Sequence, residues 1–369
     1  CLALRYQVPV LSEEHWRILE NYMKNAVRYG INMLLTPIFT PPLDTEVGGE
    51  RPTMQLVGVE QGPEGYRFDF SKAERFVKTA RRCGITHFEM THLFTQWGAE
   101  HAPKIMAKTP NGMEKIFGWD TDAAGPEYAA FLRSFLPELL HFLKRQGIED
   151  VAYFHISDEP PLESLENYRK AREILEEFIS GYHQIDALSS LEFFSTGLVP
   201  TPVPGTNDYH LFEGQPVKER WTYYCCAQYK GVSNRFIAMP SPRNRILGIQ
   251  LYLYRIQGFL HWGYNFWYSL YPIDPFAVTD AGGGYQAGDA FVVYPGEEGP
   301  LSSLRLEVFY DAFQDMRALT ALEGKIGREA VVSLLQEGLD SPITWTEYPT
   351  DAAWLLKKRE KINRLLAAK

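Results

Sequence analysis

The sequence predicts an α/β fold, a (β/α)8 TIM-like barrel in which some helices are shortened or missing. Three times a helical pattern ends at a glycine, and an apolar run begins two to four residues later. Glycine just after a helix is a common stop signal, and helices that alternate with apolar runs are typical of a parallel sheet covered by helices. No G-x-G-x-x-G motif follows the first strand, so the barrel is preferred over an open doubly wound sheet, which stays the alternative.

The amino-terminal half contains the three helix–strand units that set this pattern. Ser12 is the predicted N-cap of the first helix, because Glu13 and Glu14 follow it and acidic residues are favoured in a first helical turn. The three helices are predicted at residues 12–29, 71–83 and 126–146, and the strands that follow them at 30–35, 84–90 and 151–157.

The carboxy-terminal half completes the barrel with five further strands. They are predicted at 191–195, 209–213, 221–226, 258–264 and 290–294, with helices at 163–180 and 302–322. The helices between strands four, five and six are short or missing. The segments 92–125 and 269–288 are too long for plain connectors, so we expect functional loops at the carboxyl-terminal rim. Residues 1–369 are expected to form one barrel domain.

The composition excludes several classes of function. Thirty-seven Lys and Arg against 46 Asp and Glu give a net charge of -9, whereas a general nucleic-acid binder needs a basic surface. No run of 18 apolar residues and no signal segment occurs, so we expect no transmembrane segment and a soluble protein, with a cytoplasmic location favoured. The four cysteines form no CxxC motif, which indicates buried thiols. The start at Cys1 suggests a processed product or a fragment.

An acidic pair is the clearest indication of chemistry. Asp158 and Glu159 come directly after the predicted strand 151–157, and Pro160 and Pro161 follow them. Proline cannot continue a strand ladder, so the pair lies at the carboxyl end of the strand, where barrel enzymes place their active sites. Two adjacent carboxylates are costly to desolvate, and they persist mainly where they are hydrogen-bonded or where one must hold a proton.

The spacing of this pair favours one kind of glycosidase mechanism. Most glycosidases place two carboxyl groups about 5–5.5 Å or about 6.5–9.5 Å apart, on opposite sides of the scissile bond. Two carboxyl groups on adjacent residues lie beside the same half of the sugar ring. This placement suits a mechanism in which the substrate's own 2-acetamido oxygen is the nucleophile. Glu159 would then be the general acid and base, and Asp158 would orient the acetamido group. The alternative is that both residues cap the helix predicted near Glu163.

Several blocks of sequence resemble the catalytic domain of glycoside hydrolase family 123 and its uncharacterised bacterial relatives. These blocks are 40–45, 49–53, 92–99, 155–160, 234–240, 258–265, 288–289 and 293–296. Characterised members are β-N-acetylgalactosaminidases with an adjacent Asp-Glu pair that work by the substrate-assisted route. The resemblance implies these roles for Asp158 and Glu159. Family members usually carry a β-sandwich before the barrel, so an upstream domain is expected to be absent from this chain.

Aromatic and polar residues near the predicted strand ends are candidates for substrate binding. A tryptophan can stack on the apolar face of a sugar, an asparagine can bind a hydroxyl, and a tyrosine hydroxyl can aim the acetamido oxygen. The candidates are His92, Trp97, His155, Tyr224, Trp262, Asn265, Trp267 and Tyr294. Core packing is the alternative for the tryptophans, and a satisfied core histidine is the alternative for His155. Because successive side chains of a strand point to opposite faces, only one of Tyr223 and Tyr224 points inward, and the sequence leaves open which one.

The sequence provides no pattern for a metal or a cofactor. His87 and Glu89 share one face of a strand without a third ligand, and no HExxH motif occurs, so we assign neither. The resulting hypothesis is a retaining exo-β-N-acetylhexosaminidase acting on terminal β-linked N-acetylgalactosamine of a glycan or glycoconjugate. The alternatives are a glycosidase of another substrate class and a non-catalytic carbohydrate-binding barrel. The sequence leaves open whether the protein is a homo-oligomer, and whether the sugar has the galacto or the gluco configuration.

Overall fold

The computed structural model describes residues 2–43, 45–267, 274–280 and 284–368. Within this part the chain divides into two compact units, one with the described residues up to Pro202 and one with those from Val203 onward. The interpretation of residues 1–369 as one domain stays a prediction.

Thirteen strands and eleven α-helices form the described part of the chain. The strands are β1 (Met33–Thr36), β2 (Gly58–Gly62), β3 (Gly65–Asp69), β4 (His87–Met90), β5 (Ile105–Thr109), β6 (Gly112–Phe117), β7 (Ala152–Phe154), β8 (His183–Ala187), β9 (Thr201–Val203), β10 (Trp221–Tyr223), β11 (Gly258–Leu260), β12 (Val293–Pro295) and β13 (Pro300–Ser302). The helices are α1 (Leu2–Arg5), α2 (Glu13–Arg28), α3 (Ser71–Cys83), α4 (Pro126–Gln146), α5 (Leu165–Ile179), α6 (Leu191–Ser195), α7 (Ser241–Arg245), α8 (Leu247–Leu253), α9 (Leu304–Ile326), α10 (Arg328–Gln336) and α11 (Ala352–Ala367). No α-helix within these described residues is long and apolar enough to cross a membrane.

The main sheet of the first unit has the strand order β1-β4-β7-β8-β9. The first three pairings are parallel, with Met33 opposite His87, Phe88 opposite Ala152 and Tyr153 opposite His183. Parallel strands with intervening helices confirm the predicted α/β class. Because these strands run the same way, their carboxyl ends share one edge of the sheet, and the loops after β4, β7 and β8 begin there.

The helix signals read from the sequence of the first unit are confirmed. The Ser12 hydroxyl caps α2 by accepting the His15 backbone N–H at 3.2 Å. The helices α3 and α4 have the predicted bounds. Gly84 and Gly147 follow them with φ values of 108° and 62°. This left-handed conformation carries little steric penalty for glycine, which explains why both helices stop there.

A second sheet in the first unit was not predicted. It has four strands in the order β3-β2-β5-β6. Two of them, β5 and β6, lie inside the segment 92–125 that was expected to be a loop. The side chains of β6 are mostly exposed, so the strand lacks the apolar alternation that identifies a half-buried strand. The predicted loop 269–288 lies partly outside the described residues.

Two predicted strands in the middle of the chain are wrong. Residues 191–195 form the helix α6, and residues 209–212 form a 3-10 turn. The strands near these positions are instead β8 and β9. Both were missed because their sequences do not look apolar: β8 carries buried Gln184 and Asp186, and β9 carries Pro202. Polar residues and proline weaken a strand signal even where tertiary structure satisfies them.

The second unit contains the parallel pair β10–β11, with Trp221 opposite Gly258. A side chain at Gly258 would place its Cβ 2.1 Å from the Trp221 ring, so the pair needs glycine here. An isolated parallel bridge joins Gly205 to Tyr223, and β12 pairs with β13 in antiparallel fashion. Helices α8 to α11 share an apolar core that includes Ile249. The α/β class is therefore established, and closure into a (β/α)8 barrel stays a prediction.

Candidate active site

Asp158 and Glu159 lie at the carboxyl edge of the main sheet of the first unit. The strand β7 ends at Phe154, earlier than the predicted end at residue 157, so three residues separate it from Asp158. Both acidic side chains are partly exposed. Neither residue is the N-cap of the 3-10 turn Leu162–Ser164 or of α5, since Pro161 and Ser164 occupy those positions. The helix-capping alternative therefore lacks its expected geometry.

The neighbouring strand β8 holds this segment from one side. The backbone N–H of Ile156 donates to both oxygens of the Asp186 carboxylate, each at 3.2 Å. The backbone N–H of Glu159 donates to the carbonyl of Ala187 at 2.9 Å. Two consecutive residues of β8 thus fix the backbone before and at the acidic pair.

The loop that follows β4 holds the same segment from another side. The Ser157 hydroxyl donates to the Thr95 carbonyl at 2.8 Å and accepts the Gly98 N–H at 3.3 Å. The Asp158 carbonyl accepts the Trp97 N–H at 2.8 Å. Each residue from 156 to 159 therefore has at least one hydrogen bond that fixes its position, and such preorganisation is what a catalytic group requires.

Left-handed backbone is concentrated at this contact. The φ angles are 63° at Trp97, 137° at Gly98, 57° at Ala99 and 42° at Glu159. Such conformations cost about 1–3 kcal/mol at a residue other than glycine and cluster at functional sites. At Gly98 a Cβ would lie 2.8 Å from the Cβ of Ser164, so this position also requires glycine for space. The surrounding hydrogen bonds hold Glu159 in a conformation that it would otherwise avoid.

A charged histidine lies buried in the same unit. The His155 ring has Nε2 3.0 Å from Glu89 Oε1 and Nδ1 3.1 Å from Asp186 Oδ1. Tyr168 donates its hydroxyl hydrogen to the other oxygen of Asp186. Burial alone lowers the pKa of His155, but the two carboxylates outweigh it and raise the pKa to about 10. His155 is therefore protonated at neutral pH.

A second histidine stacks on the first and stays neutral. The rings of His92 and His155 have centroids 4.1 Å apart and planes 23° apart. Both ring nitrogens of His92 are buried without a hydrogen-bond partner. Burial, and then the charge of His155, lower the pKa of His92 well below its usual value.

Glu89, His92 and His155 could be considered as metal ligands, since their donor atoms lie within 4.8 Å of one another. Stacked rings do not fit a shared ion, because the in-plane lone pairs run side by side instead of converging on one point. His155 is also protonated and already engaged by two carboxylates. The arrangement is an ion-paired histidine rather than a metal centre.

The other predicted residues of the first unit differ in exposure. The side chain of Trp97 is 48% exposed, which leaves it available to stack on a sugar. His92 and His155 are buried, and the contacts of His155 are those of the alternative interpretation, a satisfied core histidine. Direct contact of either histidine with substrate stays a prediction. The first unit brings Trp97, Asp158 and Glu159 together at the edge of the sheet.

The remaining five predicted residues lie in the second unit. Tyr224 is buried directly after β10, with the Arg235 guanidinium 4.9 Å from its ring. Trp267 is also buried, and its indole N–H donates to the Val293 carbonyl at 3.1 Å, which is the environment of a core side chain. Trp262, Asn265 and Tyr294 are partly exposed. Their contact with substrate stays a prediction.

Sequence reasoning missed the residues that support the acidic pair. Asp186 was missed because β8 was not recognised as a strand, and Tyr168 because a tyrosine on a helix carries no signal of its own. Glu89 was considered only as a metal ligand. The alternation of β4 was the available signal, since it places Glu89 and His87 on one face of the strand.

Comparisons with known proteins give the following matches. A family model described as the catalytic domain of glycoside hydrolase 123 matches residues 1–322. A search of curated protein sequences found no significant match. Among solved structures, the chain is similar to a family 123 glycoside hydrolase from Clostridium perfringens, described for glycolipid glycan hydrolysis. The TM-score is 0.69 at 15% identity, and the match covers 99% of this chain and 66% of that one.

Two weaker structural matches are a β-galactosidase and a mannosidase. The β-galactosidase from Bacillus circulans sp. alkalophilus has a TM-score of 0.45 at 10% identity, covering 94% of this chain and 61% of that chain. The glycoside hydrolase family 5 mannosidase from Rhizomucor miehei has a TM-score of 0.42 at 13% identity, covering 83% and 89%.

Proposed function

The chain belongs to glycoside hydrolase family 123, and from this premise we propose that it is a retaining exo-β-N-acetylhexosaminidase. The proposed substrate is a terminal β-linked N-acetylgalactosamine, and the natural glycan is one carried by a glycolipid, as described for the Clostridium perfringens enzyme. Asp158 and Glu159 are the proposed catalytic residues, and no cofactor takes part.

The proposed first step breaks the glycosidic bond. The carbonyl oxygen of the 2-acetamido group attacks C1 of the sugar, and Glu159 donates a proton to the departing glycosidic oxygen. Asp158 accepts the acetamido N–H, which aims the carbonyl oxygen and stabilises the positive charge of the oxazolinium ring. In the second step the Glu159 carboxylate takes a proton from water, and the resulting oxygen attacks C1. The oxazolinium ring opens, and the sugar leaves with the configuration at C1 retained.

One observation carries this proposal: the backbone of the acidic pair is fixed residue by residue at the carboxyl edge of a parallel sheet. Hydrogen bonds from β8 and from the loop after β4 hold residues 156–159, and Glu159 has a φ of 42°. Acidic residues that only form ion pairs on a surface would not need a backbone fixed by hydrogen bonds at each residue. Both carboxyl groups start from one short segment, which supports their acting on the same half of one sugar.

The test is the hydrolysis of 4-nitrophenyl N-acetyl-β-D-galactosaminide by the Glu159→Gln variant. A general acid typically contributes about 10²–10⁴-fold, so we expect kcat to fall by that order. The fall should be much smaller on a 2,4-dinitrophenyl glycoside, whose leaving group needs no proton. Glu163→Gln, an exposed change four residues away, is the matched control and should behave as wild type. A near-wild-type rate of Glu159→Gln on both substrates refutes the assignment.

A second measurement separates the substrate-assisted route from ordinary acid and base catalysis. Asp158→Asn should slow the cleavage of 2-acetamido glycosides, and an N-acetylgalactosamine thiazoline should inhibit the wild-type enzyme because it resembles the oxazolinium intermediate. Equal cleavage of aryl galactosides that lack the acetamido group would favour a glycosidase of another substrate class. Sugar binding without any product release would favour the non-catalytic alternative.

A further inference from the structure

A buried cluster of basic and polar side chains lies in the second unit, at the carboxyl ends of β10 and β11. We call it the arginine cluster, and it consists of Tyr224, Arg235, His261, Asp289 and Arg305. Tyr224 directly follows β10 and His261 directly follows β11. The Arg235 guanidinium lies 4.9 Å from the Tyr224 ring, and Arg305 Nη1 lies 3.4 Å from the Arg235 carbonyl.

Five polar atoms of the cluster lack a hydrogen-bond partner although all are buried. They are Tyr224 Oη, Arg235 Nε, His261 Nε2, Asp289 Oδ2 and Arg305 Nη2. The two arginine atoms are obligate donors, and the tyrosine hydroxyl can donate. Buried polar groups in native proteins are nearly always satisfied. Because the unpartnered donors outnumber the one carboxylate oxygen, Asp289 Oδ2, the cluster indicates something that accepts hydrogen bonds there.

The cluster also carries more positive than negative charge. Asp289 is ion-paired to Arg235 at 3.0 Å, and both side chains are fully buried. Arg305 has its Nη1 on the carbonyl of Gly288, and within the described residues no ion pair joins it to a carboxylate. A buried charge normally has a partner, because its desolvation is otherwise uncompensated. The arrangement leaves one guanidinium charge unmatched.

The titration behaviour agrees with this excess of positive charge. Burial, and then the charges of Arg235 and Arg305, lower the pKa of His261 well below its usual value. Burial and Arg235 also lower the pKa of Arg305, although the Tyr294 hydroxyl acts in the opposite direction. His261 is therefore neutral at pH 7 and does not add to the charge. Water alone would satisfy the donors without balancing Arg305.

We infer that the arginine cluster binds one small oxyanionic group, a carboxylate or a sulfate of the kind that acidic glycans carry. Its oxygens would accept hydrogen bonds from Tyr224, Arg235 and Arg305, and its charge would balance Arg305. Tyr224 and Arg235 form the buried base of this site, whereas His261 and Arg305 are partly exposed and provide its access. This binding site goes beyond the proposed hydrolysis, which does not require it.

The experiment is thermal unfolding and titration calorimetry with sodium sulfate and with sodium acetate, each against sodium chloride at equal ionic strength. Wild type is compared with Arg305→Gln and with Arg317→Gln, an exposed arginine on the same helix. We expect a saturable rise of Tm with at least one oxyanion in wild type and in Arg317→Gln. In Arg305→Gln the apparent Kd should rise at least tenfold. The more effective anion identifies the sulfate or the carboxylate as the natural group.

Several outcomes would overturn the inference. Sulfate stabilises many proteins by exclusion from their surface, and that effect does not saturate and is shared by all three proteins. An equal rise in all three, or no rise in any, contradicts the site. If Arg305→Gln does not fold, Tyr224→Phe replaces it, because it keeps the ring under Arg235 and removes only the hydroxyl. Crystals soaked in selenate provide the direct check, with an anomalous peak expected within hydrogen-bond distance of Arg305 and Tyr224.

Discussion

Asp186→Asn should weaken the hydrogen bonds that support the acidic pair while leaving both catalytic carboxyl groups in place. The Asp186 carboxylate accepts the Ile156 N–H, the His155 Nδ1–H and the Tyr168 hydroxyl, and it is the ion partner of a buried imidazolium. An asparagine has the same shape but no charge, and its NH₂ group must face one of these three donors. The substitution therefore leaves a buried donor without an acceptor and a buried cation with Glu89 alone.

The size of the effect follows from the state of His155. Its pKa of about 10 means that neutralising the ring at pH 7 requires about 4 kcal/mol, at about 1.36 kcal/mol per pKa unit. Because His155 can release this proton in the variant, the loss of unfolding free energy caused by the unpaired charge is at most about 4 kcal/mol. This limit agrees with the about 3–5 kcal/mol that breaking a buried ion pair costs. With an unfolding entropy of about 2.1 cal/mol/K per residue, the Tm should fall by up to about 5 °C if the chain unfolds as one unit.

The assay combines thermal unfolding with steady-state kinetics. Because Ala187, next to Asp186, holds the Glu159 N–H, we expect kcat to fall by about 10- to 100-fold with little change in KM, as expected when a catalytic group is misplaced by about 1 Å. The control is Asp150→Asn, an exposed substitution in the same unit, which should change stability by less than about 0.5 kcal/mol. A variant with wild-type Tm and wild-type kcat would refute the role of Asp186.

Three further predictions test the strain and the charge of this region. Glu159→Gly and Glu159→Ala should both be inactive, but the glycine variant should be more stable by about 0.5–1 kcal/mol in urea unfolding, because only glycine tolerates a φ of 42° without penalty. Gly98→Ala should destabilise the protein by about 1–3 kcal/mol and lower kcat, since its Cβ meets Ser164. Gly112→Ala, with φ 123° and free space, is its control and should cost less. The pKa of His155 is higher in the folded state than in the unfolded state. The protonated ring therefore contributes fully to the unfolding free energy below about pH 6.5, and this contribution is lost as the pH rises through about 10. The unfolding free energy should therefore decline between pH 7 and 10, and His155→Gln should flatten that decline; a parallel decline in the variant would contradict it.

The sequence by itself determined the α/β class and the position of the acidic pair. Local signals were sufficient for this, since Ser12 caps α2 and since Gly84 and Gly147 end their helices in left-handed conformations. The prolines after Glu159 placed the pair beyond the strand end for an equally local reason. Capping, glycine stops and proline breaks act within one turn of chain and can be recognised without knowledge of the rest of the fold.

Tertiary structure decided what surrounds the pair. The strand β8 was missed because Asp186 is polar, and only the folded chain shows that His155, Ile156 and Tyr168 satisfy this carboxylate from other elements. The arginine cluster likewise joins Tyr224 to Arg305, which are far apart in sequence. Burial and electrostatic pairing depend on distances between distant segments, and the order of residues along the chain does not contain those distances.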